Sequence, residues 1–211
     1  MRTFRHWKPI YIYNRLNEIV YQYVFPNHPW LTKSANQILM SLLKETDIGL
    51  EFGSGRSTIW FGQRISFLTS VEHNASWFSK TQETIAKQGM NNIDLLLCLE
   101  QPELVNEYET DYVRIINKFD SQCLDFVLVD GIYRSACANS VLDKIKPGGL
   151  LIVDNVNWFL PSNSFSPASR KIGDSPISLD WSRFLAATNS WRHIWTTSGV
   201  TDTAFYFKPC L

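Results

Sequence analysis

The sequence has no net charge, no paired cysteines and no long apolar run, and each absence excludes a class of protein. Twenty Lys and Arg balance 20 Asp and Glu over 211 residues, so no excess charge attracts a nucleic acid over long range. The four cysteines form no CxxC pair and show no metal-ligand spacing. We therefore predict a reducing compartment, with neither a disulfide framework nor a zinc site.

Segments that would target or cross a membrane are missing as well. The first residues, MRTFRHWKP, lack the apolar stretch of a secretory signal, and no window reaches 18 uninterrupted apolar residues. We expect a cytoplasmic protein that has neither a membrane nor a nucleic acid as its partner. With 45% hydrophobic and 14% aromatic residues, the chain has enough apolar surface to fold as one domain with an appendage.

Short apolar runs alternate with helical stretches through the middle of the chain. Runs such as 47–52, 124–129 and 150–153 are apolar without alternation, which is typical of strands covered on both faces of a parallel sheet. Strands separated by helices predict a doubly wound α/β fold. The last two of seven strand candidates, at 191–197 and 203–208, have no helix between them, which predicts a terminal antiparallel hairpin.

Two segments lie outside this alternation, the aromatic-rich residues 1–33 and a loop at 157–177 rich in Ser, Pro and Asn. The first is expected to contain a helix over about 10–24 that ends before Pro26. Long loops in compact domains are usually functional, so we predict that both segments cover the substrate site of a domain formed by 34–211. Packing onto that domain, or onto a second subunit of a homodimer, explains the N-terminal aromatics equally well.

A glycine-rich turn follows the first predicted strand. Glu51-Phe-Gly-Ser-Gly55 places an acid and two glycines where a strand ends and a helix begins, and open α/β sheets bind ligands at that edge. A dinucleotide site prefers a third glycine at the position of Thr58, so an NAD(P)-dependent oxidoreductase is the less favoured alternative. Glu72, beside His73, ends the second strand, where an acid can accept hydrogen bonds from both hydroxyls of a ribose.

Acidic and amide side chains also follow the fourth and fifth predicted strands. Asp130 comes directly after 124–129, and Asp154 and Asn155 come directly after 150–153. Carboxylate and amide oxygens are the ligands that Mg²⁺ and Ca²⁺ prefer. Capping of a turn, or contact with a substrate, explains Asp154 and Asn155 equally well.

Together these motifs resemble those of the class I S-adenosylmethionine (SAM)-dependent methyltransferases over about residues 34–209. The resemblance implies that the following residues bind SAM: Glu51, Gly53, Ser54, Gly55, Glu72, His73, Glu100 and Asp130. Val129-Asp-Gly131 and Val153-Asp-Asn155 are similar to motifs of the catechol and caffeoyl-CoA type of O-methyltransferase. That type holds one Mg²⁺ through residues at the positions of Asp130, Asp154 and Asn155, and it has a catalytic Lys where this chain has Tyr133.

The resemblance implies transfer of a methyl group from SAM to a small-molecule acceptor, with a hydroxyl oxygen as the expected target. The acceptor has to lose a proton, and Asp130 and Tyr133 are the candidate catalytic residues that would take it. A bound Mg²⁺ would help by lowering the pKa of the hydroxyl. Because the Lys is missing, a non-catalytic SAM-binding module is a further alternative.

Overall fold

The computed structural model describes residues 8–210, and these contain seven strands and seven α-helices. The strands are β1 (Ile48–Phe52), β2 (Phe67–Glu72), β3 (Ile93–Leu97), β4 (Leu124–Val129), β5 (Ile145–Asp154), β6 (Arg192–Thr197) and β7 (Asp202–Phe207). The helices are α1 (Pro9–Val24), α2 (Lys33–Leu42), α3 (Arg56–Gly62), α4 (Ala75–Lys87), α5 (Asp111–Arg114), α6 (Arg134–Ser140) and α7 (Leu179–Ala187). Helix α1 confirms the helix expected over about 10–24.

All seven strands form one sheet in the order β3-β2-β1-β4-β5-β7-β6. The first five are parallel, and β7 runs antiparallel to both β5 and β6. The predicted doubly wound sheet with a terminal antiparallel hairpin is therefore confirmed. The strand order reverses between β1 and β4, and the crevice beyond the carboxyl ends of these two strands is where open sheets of this kind bind ligands.

The central strands are unbroken apolar runs because both faces of the sheet are covered. In β4, Val127 and Val129 belong to a core that packs against α5, α6 and α7, whereas Phe126 and Leu128 belong to a core under α2 and α3. Successive side chains of a strand point to opposite faces, so each face receives every second residue. Each face of the sheet thereby acquires an apolar layer.

Strand β5 starts earlier than the sequence predicts. The predicted run covers 150–153, whereas β5 begins at Ile145 and includes Pro147-Gly-Gly149, where the pairing with β4 shifts register between Leu124 and Phe126. Gly148 has a φ of 78°, and its N–H donates to the carbonyl oxygen of Lys208 at 2.9 Å. The glycine thus allows an irregular stretch of strand to keep its backbone hydrogen bonds.

The two segments predicted as covers are held to the domain in different ways. Helix α1 has no buried residue. In the loop, Ser166 Oγ donates to Asp202 Oδ1 at 2.6 Å, and Asn157 Nδ2 donates to Ser169 Oγ at 2.9 Å, so this segment is anchored to β7. No helix within residues 8–210 is both long enough and apolar enough to cross a membrane.

Candidate functional site

A cavity of about 430 Å³ lies at the carboxyl ends of β1, β2 and β4. It brings together five of the predicted SAM-binding residues with four others; the full lining is Gly53, Ser54, Glu72, His73, Asn74, Ser76, Trp77, Asp130 and Gly131. The strands deliver these residues because parallel strands all end at the same edge of the sheet. Segments that are up to 78 residues apart in the chain, from Gly53 to Gly131, thus meet at one site.

Gly53 is required by the close approach of two loops. It has a φ of 98°, and a Cβ at this position would lie 2.8 Å from the Gly131 nitrogen and 2.9 Å from the Gly131 Cα. Gly131 is constrained in turn, because a Cβ there would overlap the hydroxyl of the fully buried Tyr112. Gly55 is extended, with a φ of 165°. A Cβ at this position would have Trp77 as its nearest neighbour, at 3.4 Å.

Glu51 lies behind the glycine turn and does not line the cavity. Its Oε2 accepts hydrogen bonds from Thr58 Oγ1 at 2.6 Å and from Ser70 Oγ at 2.7 Å. Thr58 Oγ1 also accepts from the Gly55 N–H at 2.9 Å, so the carboxyl supports the turn through Thr58. Complete burial raises the pKa of Glu51 to about 7. Glu51, a predicted SAM ligand, therefore supports the turn from behind. Thr58, at the position where a dinucleotide site prefers a third glycine, connects Glu51 to the turn.

Glu72 lies in the cavity wall, and both of its carboxylate oxygens already accept hydrogen bonds. Oε2 accepts from the N–H and the Oγ of Ser54, at 3.0 and 2.7 Å. Oε1 accepts from the N–H groups of His73 and Asn74, at 2.9 and 2.8 Å, and the His73 ring lies 3.2 Å away through Nδ1. A ligand that bonds to this carboxylate has to replace one of these contacts, and the Ser54 hydroxyl is the donor that is free to rotate away.

Arg134 connects the loops after β4 and β5, and all five of its N–H groups donate hydrogen bonds. Nε donates to the Gly131 carbonyl oxygen at 2.9 Å, and the Nη2 group donates to the carbonyl oxygen and Oδ1 of Asp130 at 2.7 and 2.9 Å. The Nη1 group donates to the carbonyl oxygen of Asp154 at 2.5 Å and to Asn155 Oδ1 at 3.1 Å. This guanidinium is therefore the cation that lies among the three predicted metal ligands.

A second oxygen of the predicted metal site also has a partner. Asp154 Oδ1 accepts from Thr203 Oγ1 at 2.6 Å, and burial together with the nearby Asp130 raises the pKa of Asp154 to about 8. Burial raises the pKa of Asp130 too, although Arg134 acts in the opposite direction. Among residues 8–210, no group of three or more His, Cys, Asp or Glu side chains could hold a metal ion. With Arg134 in place, the arrangement does not fit a bound divalent cation.

Tyr133 and Glu100 lie away from the centre of the cavity. The Tyr133 hydroxyl accepts a hydrogen bond from the Gln101 N–H at 3.1 Å, so it connects the start of α6 to the loop after β3. Tyr133 has a φ of 49°, which is uncommon for a bulky residue. Glu100 is exposed in the same loop. The predicted catalytic Tyr133 thus lies against the same loop as the predicted SAM-binding residue Glu100.

Trp77, Tyr112 and Arg134 are among the residues of the site that were not predicted from the sequence. Trp77 Nε1 donates to the carbonyl oxygen of Ser54 at 2.5 Å, so its ring forms a wall beside the glycine turn. Tyr112 lies below the floor of the cavity and its hydroxyl has no partner within the described residues. Arg134 had a sequence signal, because it follows Asp130 at the i+4 spacing that pairs charges at the start of a helix.

The sequence matches no protein-family profile and no curated protein. Among solved structures, the fold is similar to yhhF from Escherichia coli, which is provisionally described as a methyltransferase, with a TM-score of 0.56 and 13% identity over 85% of this chain and 86% of that chain. An rRNA methylase from Streptococcus thermophilus has a TM-score of 0.53 and 10% identity, over 82% and 93% of the two chains.

A third similar structure contains a bound nucleoside. It is a protein from Streptococcus mutans, also provisionally described as a methyltransferase, in complex with S-adenosylhomocysteine (SAH). Its TM-score is 0.51 at 10% identity, over 82% of this chain and 94% of that chain. At such identities the similarity concerns the fold alone, and it confirms that this chain has the Rossmann-like methyltransferase fold.

Proposed function

We propose that this protein is a SAM-dependent methyltransferase. The observation that carries the proposal is the cavity at the reversal of strand order, where Gly53, Glu72 and Asp130 converge from three strands. The same fold holds SAH in one of the similar solved structures. Trp77, His73 and the Ser54 backbone surround a space large enough for part of a nucleoside, and cavities of this size bind small ligands.

Each wall of the cavity has a distinct part in the proposed binding. Glu72 would hold the ribose hydroxyls in exchange for its contact with the Ser54 side chain, because a carboxylate accepts hydrogen bonds only. Gly53 keeps side-chain atoms out of the approach to the turn, which Glu51 and Thr58 support from behind. When bound, SAM supplies an electrophilic methyl carbon on a sulfonium centre.

The chain's own contribution to transfer is alignment and removal of a proton. Asp130 is the carboxylate that lines the cavity and is partly exposed to it, so it is the candidate group that accepts the proton of a hydroxyl acceptor. Arg134 keeps that carboxylate oriented through Oδ1. Alignment of the acceptor oxygen with the methyl carbon supplies much of the acceleration in such displacements.

We further propose that transfer needs no metal and that the acceptor is a small molecule. Arg134 pairs with Asp130 and bonds to the amide oxygen of Asn155, so a cation already lies between side chains that would hold Mg²⁺. The net charge of zero favours a small acceptor over RNA, although one similar structure is an rRNA methylase. Activity that is unchanged by EDTA is the expected result, and restoration of lost activity by Mg²⁺ would contradict it.

Calorimetric titration tests the cofactor. SAH should bind the wild-type protein, and Glu72→Gln should weaken that binding about 10-fold or more because a ribose hydroxyl loses its acceptor. Glu45→Gln, which changes an exposed acid before β1, is the matched control and should bind as the wild type does. Heat with NADPH and none with SAH would overturn the proposal.

The reaction is tested by methyl transfer from labelled SAM. The acceptor panel contains phenols, other small hydroxyl compounds and total RNA. Asp130→Asn should lower the rate about 100-fold while SAH still binds. Binding of SAH without transfer to any member of the panel would favour the non-catalytic module, and label in RNA alone would contradict a small acceptor.

A further inference from the structure

Helix α1 lies on the domain with its polar side inward. Glu18 Oε1 accepts a hydrogen bond from Ser198 Oγ at 3.5 Å, the Asn14 amide packs against Gly199, and Tyr21 Oη lies 2.7 Å from His28 Nδ1. These residues recur at the spacing of one helical face. A helix at the surface of a soluble domain normally does the opposite and turns its apolar side towards the core.

The apolar side of α1 is consequently exposed. Eight apolar or aromatic residues on this helix have between 42% and 84% of their surface accessible: Ile10, Ile12, Tyr13, Leu16, Ile19, Val20, Tyr23 and Val24. We refer to these eight residues as the outer face of α1. The helix has 16 residues, so the face is about 24 Å long. Monomeric proteins rarely leave so large a contiguous apolar surface uncovered, and such surfaces mark interaction sites.

The charges along the groove beside α1 are mainly positive. Among the described residues, this groove between α1 and the loop after β5 is lined by Lys8, Arg15 and Lys171, and its one acid, Glu18, is paired with Arg15 at 2.6 Å. Phe165, beside Lys171 in the same groove, is 93% exposed. In the sequence, Arg2 and Arg5 precede the helix and no acid occurs before Glu18.

We propose that α1 docks the protein on the surface of an anionic lipid bilayer, with its outer face in the interface between headgroups and acyl chains. Apolar and aromatic side chains on a helix, next to cationic side chains, are the combination that such interfacial helices use. A second copy would cover the apolar face, but the described part of this surface, from residue 8 onward, carries no unpaired acid to meet the cations of its twin. A helix that lies on a membrane does not have to span it, so the docking is compatible with 16 residues. The inference departs from the predicted absence of a membrane partner and does not depend on the proposed methyl transfer.

Vesicle co-sedimentation of the full chain tests the docking. We expect binding to vesicles of phosphatidylcholine with about one quarter phosphatidylglycerol, and at least about 10-fold weaker binding to phosphatidylcholine alone or at high salt. Leu16→Gln/Ile19→Gln should reduce binding to the anionic vesicles about 10-fold or more. Leu99→Gln/Val105→Gln is the matched control, because it removes two exposed apolar residues after β3 and should leave binding unchanged.

Two further measurements distinguish a loss of vesicle binding from a loss of folding or of SAH binding. SAH titration and thermal unfolding of each variant should match those of the wild type, since the substituted side chains are exposed. Absence of binding to anionic vesicles would overturn the proposal, as would binding that Leu16→Gln/Ile19→Gln leaves unchanged. A wild-type dimer in light scattering that this double variant converts to a monomer would assign the face to a second copy instead.

Discussion

The edge of the sheet around the cavity and the surface around α1 use polar and apolar groups in opposite ways. At the edge, Glu51, Glu72 and Arg134 are buried or half-buried and bonded to named partners. At α1, the polar side chains make a few contacts with the domain and the apolar side chains face outward. A preorganised polar cluster holds a site in one geometry, whereas an exposed apolar face gains stability only when a partner covers it. The comparison therefore separates a site built for a small ligand from a surface built for a partner.

The largest effect on stability is expected from a substitution of Gly53, at the edge of the sheet around the cavity. Gly53→Ala should lower the free energy of unfolding by about 3 kcal/mol, because a left-handed φ is strained for Ala and the Cβ meets the Gly131 backbone. Gly173 has nearly the same φ, 97° against 98°, and no atom near its added Cβ, so Gly173→Ala should cost only about 1 kcal/mol. Urea unfolding measures both. Equal losses would show that the approach of the two loops is not what requires the glycine.

The next largest effect is expected when the Arg134 guanidinium, which connects the loops after β4 and β5, is removed. Arg134→Met should cost about 2–3 kcal/mol, since Asp130 keeps its burial but loses its cation, and the partial exposure of the pair reduces the penalty. SAH binding should weaken as well, because the loop that carries Asp130 is no longer held. Arg183→Met is the control: Arg183 pairs with Asp180 at 2.8 Å on the exposed surface of α7, and its loss should cost less than about 1 kcal/mol. Unfolding in urea at neutral pH compares the two variants.

A smaller effect concerns pH. Burial raises the pKa of Asp154 to about 8, above its unfolded value, so the folded state binds the extra proton. The contribution of Asp154 to stability is therefore complete below about pH 4 and is lost as the pH rises through about 8. Asp154→Asn keeps the polar shape without the charge, and it should lose less stability than the wild type between about pH 5 and about pH 8. Unfolding at both values checks this, with Glu45→Gln expected to follow the wild type; identical pH dependence in all three would contradict the raised pKa.

The smallest effect belongs to α1. Leu16→Gln/Ile19→Gln should change the free energy of unfolding by less than about 0.5 kcal/mol, because neither side chain is buried. Leu39→Ala in α2 removes a fully buried leucine and should cost about 2–5 kcal/mol. Urea unfolding again compares the two helices. A loss above about 1 kcal/mol in the α1 variant would mean that the outer face packs against the domain.

Much of the architecture was determined by the sequence alone. The unbroken apolar run of β4 requires cover on both faces, and the absence of a helix between the last two strand candidates requires an antiparallel hairpin. Local pattern carries this information because strand period, helix period and chain breakers act within a few residues. The glycine turn and the acids after β2 and β4 were predicted at the correct edge for the same reason, since parallel strands end together.

The roles of individual side chains were decided by the tertiary structure. Sequence pattern placed Glu51 and Tyr133 at the site, but only packing shows that Glu51 supports the turn through Thr58 and that Tyr133 bonds to the loop after β3. Asp130, Asp154 and Asn155 have the composition of a metal site, yet the orientation of Arg134 fills that space with a cation. The inverted orientation of α1 could not be predicted either. An amphipathic pattern shows that a helix has a polar side and an apolar side, but it does not show which of them faces the domain. Hydrogen-bond partners and facing directions depend on residues distant in the chain, and local periodicity does not contain them.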